Sequence, residues 1–174
     1  MVNDVFSKMT KNEFEFLNKF GSRSNVLFGK ELPMLIYFSY GFVKIDLPEY
    51  LTSGKLKEII EAICKEQDII QNESMNEHDV IAFFMWLKDE FEIIQRLEKE
   101  HLNSPPDIDM QAAGVRELDE FGELNVIDSL SGGDILKWEQ VEKLPYYKVF
   151  DKLKKNIVES RINKKYNEII TKKK

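Results

Sequence analysis

Glu98-Lys-Glu-His101 sets a carboxylate and an imidazole three residues apart, the spacing that puts two metal ligands on one face of a helix. A carboxylate-bridged di-iron centre needs two such pairs and two further glutamates. The other histidine, His78, has Met75 three positions before it, so the second pair is missing and Glu98 to His101 reads as a solvated helix end. His78 falls in an acidic surface turn. Ser131-Gly-Gly-Asp134 offers glycines for a phosphate cradle, but it lacks the Gly-Lys-Ser/Thr ending of a P-loop and the third glycine of a dinucleotide fingerprint. It reads as a helix-capping turn. Cys64 falls on the apolar side of an amphipathic stretch, where a thiol behaves as a small hydrophobe. The many carboxylates single out no pair for acid-base work. The sequence therefore assigns no catalytic, metal-binding or cofactor-binding residue, and the expectation is a protein that is not an enzyme.

The charge pattern is more informative. Up to Glu142 the chain carries 28 acidic and 14 basic residues; from Lys143 onward it carries 3 acidic and 11 basic. An acidic body thus precedes a basic arm, while the net charge of −6 gives no global attraction to nucleic acid or anionic membrane. A single cysteine excludes an intramolecular disulfide framework and fits a reducing origin. The first nine residues lack the basic and apolar blocks of a signal peptide. No apolar run approaches the ~18 to 20 residues that span a bilayer.

These side chains need elements to hold them. Thr10-Lys-Asn-Glu13 reads as a capping box opening a short helix through Phe14, Leu17 and Phe20, followed by a loop to Gly29. Pro33 opens an apolar turn, helix or strand ending near Gly41, and residues 42–47 alternate as one short extended segment. Between Ser53 and Gln71, Leu56, Ile59, Ile60, Ile63 and Ile70 mark an amphipathic helix. Ser74-Met-Asn-Glu77 is a second capping box. Behind it Val80, Phe84, Leu87, Phe91 and Ile94, widened by Ile81, Met85 and Trp86, predict a long central helix to Leu102. Asn103 to Asp107, with two prolines, is a hinge. Asp109 is expected to cap a helix through Ala112, Val115 and Leu118 closed by Gly122, and residues 125–130 are ambiguous. Asp134 caps a short helix carrying Trp138 and Val141. Pro145 then starts a last helix with a stripe of Tyr146, Val149, Phe150, Leu153 and Ile157, continued less regularly by Ile162, Tyr166, Ile169 and Ile170.

The run Gly133-Asp-Ile-Leu-Lys-Trp-Glu-Gln-Val-Glu-Lys-Leu-Pro-Tyr146 resembles an acidic-Trp-Glu-x-Val/Ile-x-x-Leu-Pro-aromatic segment of small helical proteins of tailed bacteriophages, especially tail-assembly chaperones. The lysine- and isoleucine-rich composition is also similar to chains of low-GC bacteria and their phages, including the crAss-like group. The resemblance covers the corner around Pro145 and the chain from Ala112. It implies a role in virion assembly, as a chaperone of another tail protein or as a ring or connector subunit of neck or tail. It implies location in the host cytoplasm during assembly, or in the virion neck or tail.

The expected architecture is all-α: an irregular bundle with a helical body over residues 1–102, a linker and short helices over residues 103–142, and a basic helical arm over residues 143–174. Expected partners are other phage structural or tail proteins, or further copies of the chain in an oligomer such as a ring. The expected interface is the corner and the arm: Trp138, Val141, Pro145, Tyr146, Lys148, Lys152, Lys155, Arg161, Lys164 and Lys165. The alternative is a host-directed regulator whose basic helix binds nucleic acid or a nucleic-acid enzyme. A protein surface is preferred, because the arm's aromatics form an apolar stripe rather than a base-stacking platform.

Overall fold

A computed structural model describes residues 11–71, 75–103 and 108–172. The fold is almost all helical, as the periodicity predicts. Helix α1 (Lys11–Phe20) is followed by a two-stranded antiparallel hairpin, β1 (Val26–Leu27) and β2 (Lys30–Glu31). The Thr10 half of the first expected capping box, and the Phe14, Leu17 and Phe20 side chains, lie outside what is described.

The small amount of β structure therefore falls at residues 26–31 and not at 42–47. Phe28 and Gly29 both have positive φ, +48° and +76°, the backbone of a two-residue hairpin turn matched to strand twist. A Phe-Gly turn between strands of two residues gives almost no pattern to read. Residues Phe42–Asp46 instead form a π-helical turn that runs directly into α2 (Leu47–Thr52), with Pro48 just past the junction. Packing overrides the local strand preference here. Phe42, Val43 and Leu47 all enter the core, while Lys44 is turned toward two carboxylates of other elements.

Helix α3 (Leu56–Glu66) buries Ile59, Ile60, Ile63 and Cys64 as the spacing predicts, then stops. Asp68 has φ +50°, and Ile70 lies beyond the helix, 78 % exposed, so it is not part of the apolar stripe. Helix α4 (Glu77–His101) is the central rod, about 37 Å long at 1.5 Å per residue. Its N-cap is Asn76, which accepts a hydrogen bond from the Asp79 N–H at 2.9 Å, two positions after the expected cap at Ser74, which lies outside the described residues. Val80, Ala82, Phe83, Phe84, Met85, Leu87 and Ile94 are buried along it. Glu90 on its flank accepts the Leu35 N–H at 2.8 Å and anchors the 3-10 turn Leu35–Tyr37.

The helix expected from Asp109 to Gly122 is broken. Helix α5 (Ile108–Ala112) ends before Gly114, φ +85°, and a 3-10 segment, Val115–Phe121, follows up to Gly122, φ +48°. Almost none of this stretch is buried, so no packing holds it as one regular helix. Helix α6 (Leu124–Ser131) occupies the ambiguous segment, and α7 (Trp138–Glu142) and the 27-residue α8 (Tyr146–Lys172) complete the chain. The core is a single cluster drawn from the hairpin, the residue 35–47 region, α3, α4, α6, α7 and the first turns of α8.

Candidate functional site

The corner before α8 is tied to the body by backbone. The Tyr40 N–H donates to Leu144 O and the Tyr146 N–H to Phe38 O, each at 2.8 Å, with Ser39 and Pro145 paired between them. Gly41 permits this approach: a Cβ there would sit 3.2 Å from Glu142 Cβ. Side chains follow. Tyr146 is 2 % exposed and Val141 6 %, both within the core cluster. The expected interface role of these two residues is thus corrected, because the body of the same chain already covers them. Trp138 is half-buried and donates from Nε1 to Asp128 Oδ1 at 3.2 Å, locking α7 to α6. Asp134 caps the turn as expected, accepting the Leu136 N–H at 3.1 Å after two glycines of positive φ.

Trp138→Ala is expected to cost about 2 kcal/mol, less than a fully buried tryptophan because part of the ring is already wet. A thermal melt within a degree of the wild type would instead return Trp138 to a surface role.

Beneath the corner lies a polar network that local sequence does not reveal. Lys44 Nζ lies 2.9 Å from Glu98 Oε1 and 3.2 Å from Glu123 Oε1. The Tyr146 hydroxyl donates to Glu98 Oε1 at 2.9 Å, and the Tyr40 hydroxyl donates to Glu123. The two tyrosine rings stack, 9° from parallel. Burial alone would push the Lys44 ammonium down, but the hydrogen bonds and charges of Glu98 and Glu123 outweigh it and the net shift is upward. Burial first, then the adjacent carboxylate, raises both tyrosine hydroxyls far above their ordinary range. Glu98 is therefore no solvated helix end, and His101 packs its ring edge-on against Phe150. The five residues come from four parts of the chain between residues 40 and 146, with only Tyr40 and Lys44 close in sequence, so no motif spacing links the set. The network fixes the root of α8 to the central rod.

From that root the arm leaves the body. Tyr146, Val149, Phe150, Leu153 and Ile157 are buried or half-buried, whereas every residue from Val158 to Lys172 is exposed. The distal stripe does not continue the proximal one. At 100° per residue, Val158, Ile162, Tyr166, Ile169 and Ile170 centre about 180° round the helix from the packing face, on the side that Lys148, Lys152 and Lys155 hold in the proximal half. Val158 is 37 % exposed, Ile162 57 %, Tyr166 62 % and Ile169 54 %. Lys148, Lys152, Lys155, Arg161, Lys164 and Lys165 are all on the surface, as expected, with Lys155 paired to Glu159.

At the base of the arm a groove of about 920 Å³ opens between the residue 37–46 region, α3, α7 and Pro145. Asp46, Glu58, Glu61, Glu66, Glu139 and Glu142 line it against Lys65 and Lys143, and Tyr37 and Tyr50 supply ring surface. Burial raises Glu66 despite hydrogen bonds from the Ser39 N–H and hydroxyl, and burial followed by the neighbouring Glu49 raises Asp46. Pro145, half-buried, borders this groove, and Lys143 and Leu144 before it are exposed. Among the described residues no group of three or more His, Cys, Asp or Glu side chains could hold a metal ion. No helix among them is long and apolar enough to cross a membrane. No protein-family model, no curated protein and no solved structure matches the chain.

Proposed function

We propose that the protein is a non-enzymatic binding protein of tailed-phage assembly, acting in the neck or tail as a ring or connector subunit or as a tail-assembly chaperone. The observation that carries the binding role is the distal arm. The last four turns of α8 carry an apolar stripe that faces away from the body and stands exposed, and removing such a surface from water against a partner is favourable. The phage setting comes from the likeness of the Gly133 to Tyr146 run. The alternative, a basic helix laid on nucleic acid, is less well supported, since Val158, Ile162, Ile169 and Ile170 of the stripe are aliphatic and only Tyr166 offers a ring for stacking.

Removing residues 158–174 tests the reading. The shortened chain is expected to melt within a few degrees of the full one, because the described residues removed are exposed, and to lose capture of neck and tail proteins in a pull-down. Retained capture would show that the arm is not the binding element. Loss of bound nucleic acid, rather than of protein partners, would favour the alternative.

A further inference from the structure

We propose that the acidic groove at the base of α8 receives the distal arm of a second copy of this chain, so that copies join head to tail. The inference rests on the reading of the arm as a binding element and names its partner. Six carboxylates stand in the groove against two lysines, and its volume of about 920 Å³ is that of roughly two turns of helix. The arm matches it in sign. Arg161, Lys165 and Lys172 flank one edge of the stripe formed by Val158, Ile162 and Ile169, so a helix laid stripe-down would bring three cations to an acidic rim. Asp46 and Glu66, both pushed up by burial, gain from an approaching cation.

The occupant cannot be the chain's own arm. No glycine or proline interrupts α8 from Tyr146 to Lys172, and Pro145 at its root borders the groove. Val158 lies about 20 Å along the axis from that root and Lys172 about 40 Å, pointing away. A symmetric pairing of two arms is disfavoured because it crowds the same cations. The smaller apolar groove beside Leu51, Leu56 and Phe91, of about 370 Å³, offers less, since Lys88 at its edge is paired to Glu92 and leaves no net charge for the arm. Joining two different patches makes a heterologous contact, which closes into a ring or runs on as a filament.

Analytical ultracentrifugation of the full chain tests this with two double variants, Arg161→Glu with Lys165→Glu in the arm, and Glu58→Lys with Glu139→Lys in the groove. All four side chains are exposed, and circular dichroism checks that each variant is folded. Wild type is expected to associate as concentration rises, and to dissociate in about 1 M salt, where the screening length falls to about 3 Å. Each variant alone should associate about tenfold more weakly or not at all, and an equimolar mixture should associate again, because each supplies the half that the other lacks. Three results overturn the proposal: a wild type that stays monomeric up to about 0.1 mM, a groove variant that associates like wild type, or a mixture that stays apart. A monomer that still captures neck or tail proteins through its arm would remove the self-association and leave the binding role intact.

Discussion

Phe83→Ala is expected to destabilise the protein by about 3 to 5 kcal/mol, the largest effect of any single truncation in the central helix. Phe83 is fully buried, and its ring meets Phe84 edge-on at 5.3 Å and Trp86 at 5.8 Å. Removing it leaves a cavity beneath the hairpin side of α4, where the Ser24 N–H is already bonded to the adjacent Ala82 carbonyl at 3.1 Å. The backbone is pinned there, so collapse around the cavity is restricted and the upper part of the range applies. Urea unfolding followed by circular dichroism measures it. A loss below about 1 kcal/mol would mean that the rod is not the centre of the core. Phe84, 7 % exposed in the lining of the smaller apolar groove, should cost less than Phe83 on the same substitution.

Lys44→Met should cost about 2 to 3 kcal/mol, because it leaves Glu98 and Glu123 facing each other without their cation. The figure sits below that for a fully buried pair, since the Lys44 side chain is 19 % exposed and those of Glu98 and Glu123 are 23 % and 32 %. Adding Glu98→Gln and Glu123→Gln should recover part of the loss. If the single variant is as stable as wild type, the network does not hold the arm's root.

The same network sets an alkaline limb of stability. Tyr40, Tyr146 and Lys44 all have native values above their ordinary ones, so the folded chain keeps protons that the unfolded chain sheds above about pH 10. The unfolded state then binds fewer protons, and stability must fall as pH rises toward the native values. Below the unfolded values the contribution is constant. Tyr146→Phe removes one of these protons and should make the fall above pH 10 shallower, which unfolding free energies measured across pH 8 to 11 will show.

Much of the helical architecture was legible because helical periodicity is a local property. Leu56 to Ile63 and Val80 to Ile94 each carry enough apolar residues on one face to predict a buried helix without knowledge of its partners. Pro145 and the reversal of charge after Glu142 likewise mark the arm from sequence alone. Where the pattern was short it failed. The sequence pattern places an extended segment at residues 42–47, where the chain forms a π-helical turn, and a loop up to Gly29, where it forms a hairpin, since six residues do not distinguish a turn of helix from a strand when tertiary contacts decide between them.

The candidate surface divides along the same line. The sequence by itself determined that the protein is helical, that its body is acidic and its last helix basic, and that the lysines and arginine of that helix stand on its surface, because taking a charged side chain out of water is costly. Only the tertiary structure decided that Val141 and Tyr146 belong to the core and that Lys44, Glu98 and Glu123 converge. It also decided that six carboxylates from separated segments enclose one groove. The side of α8 that packs depends on how its root is fastened to residues 38–40, and that contact, between positions about a hundred residues apart, is what leaves the stripe from Val158 to Ile170 facing outward.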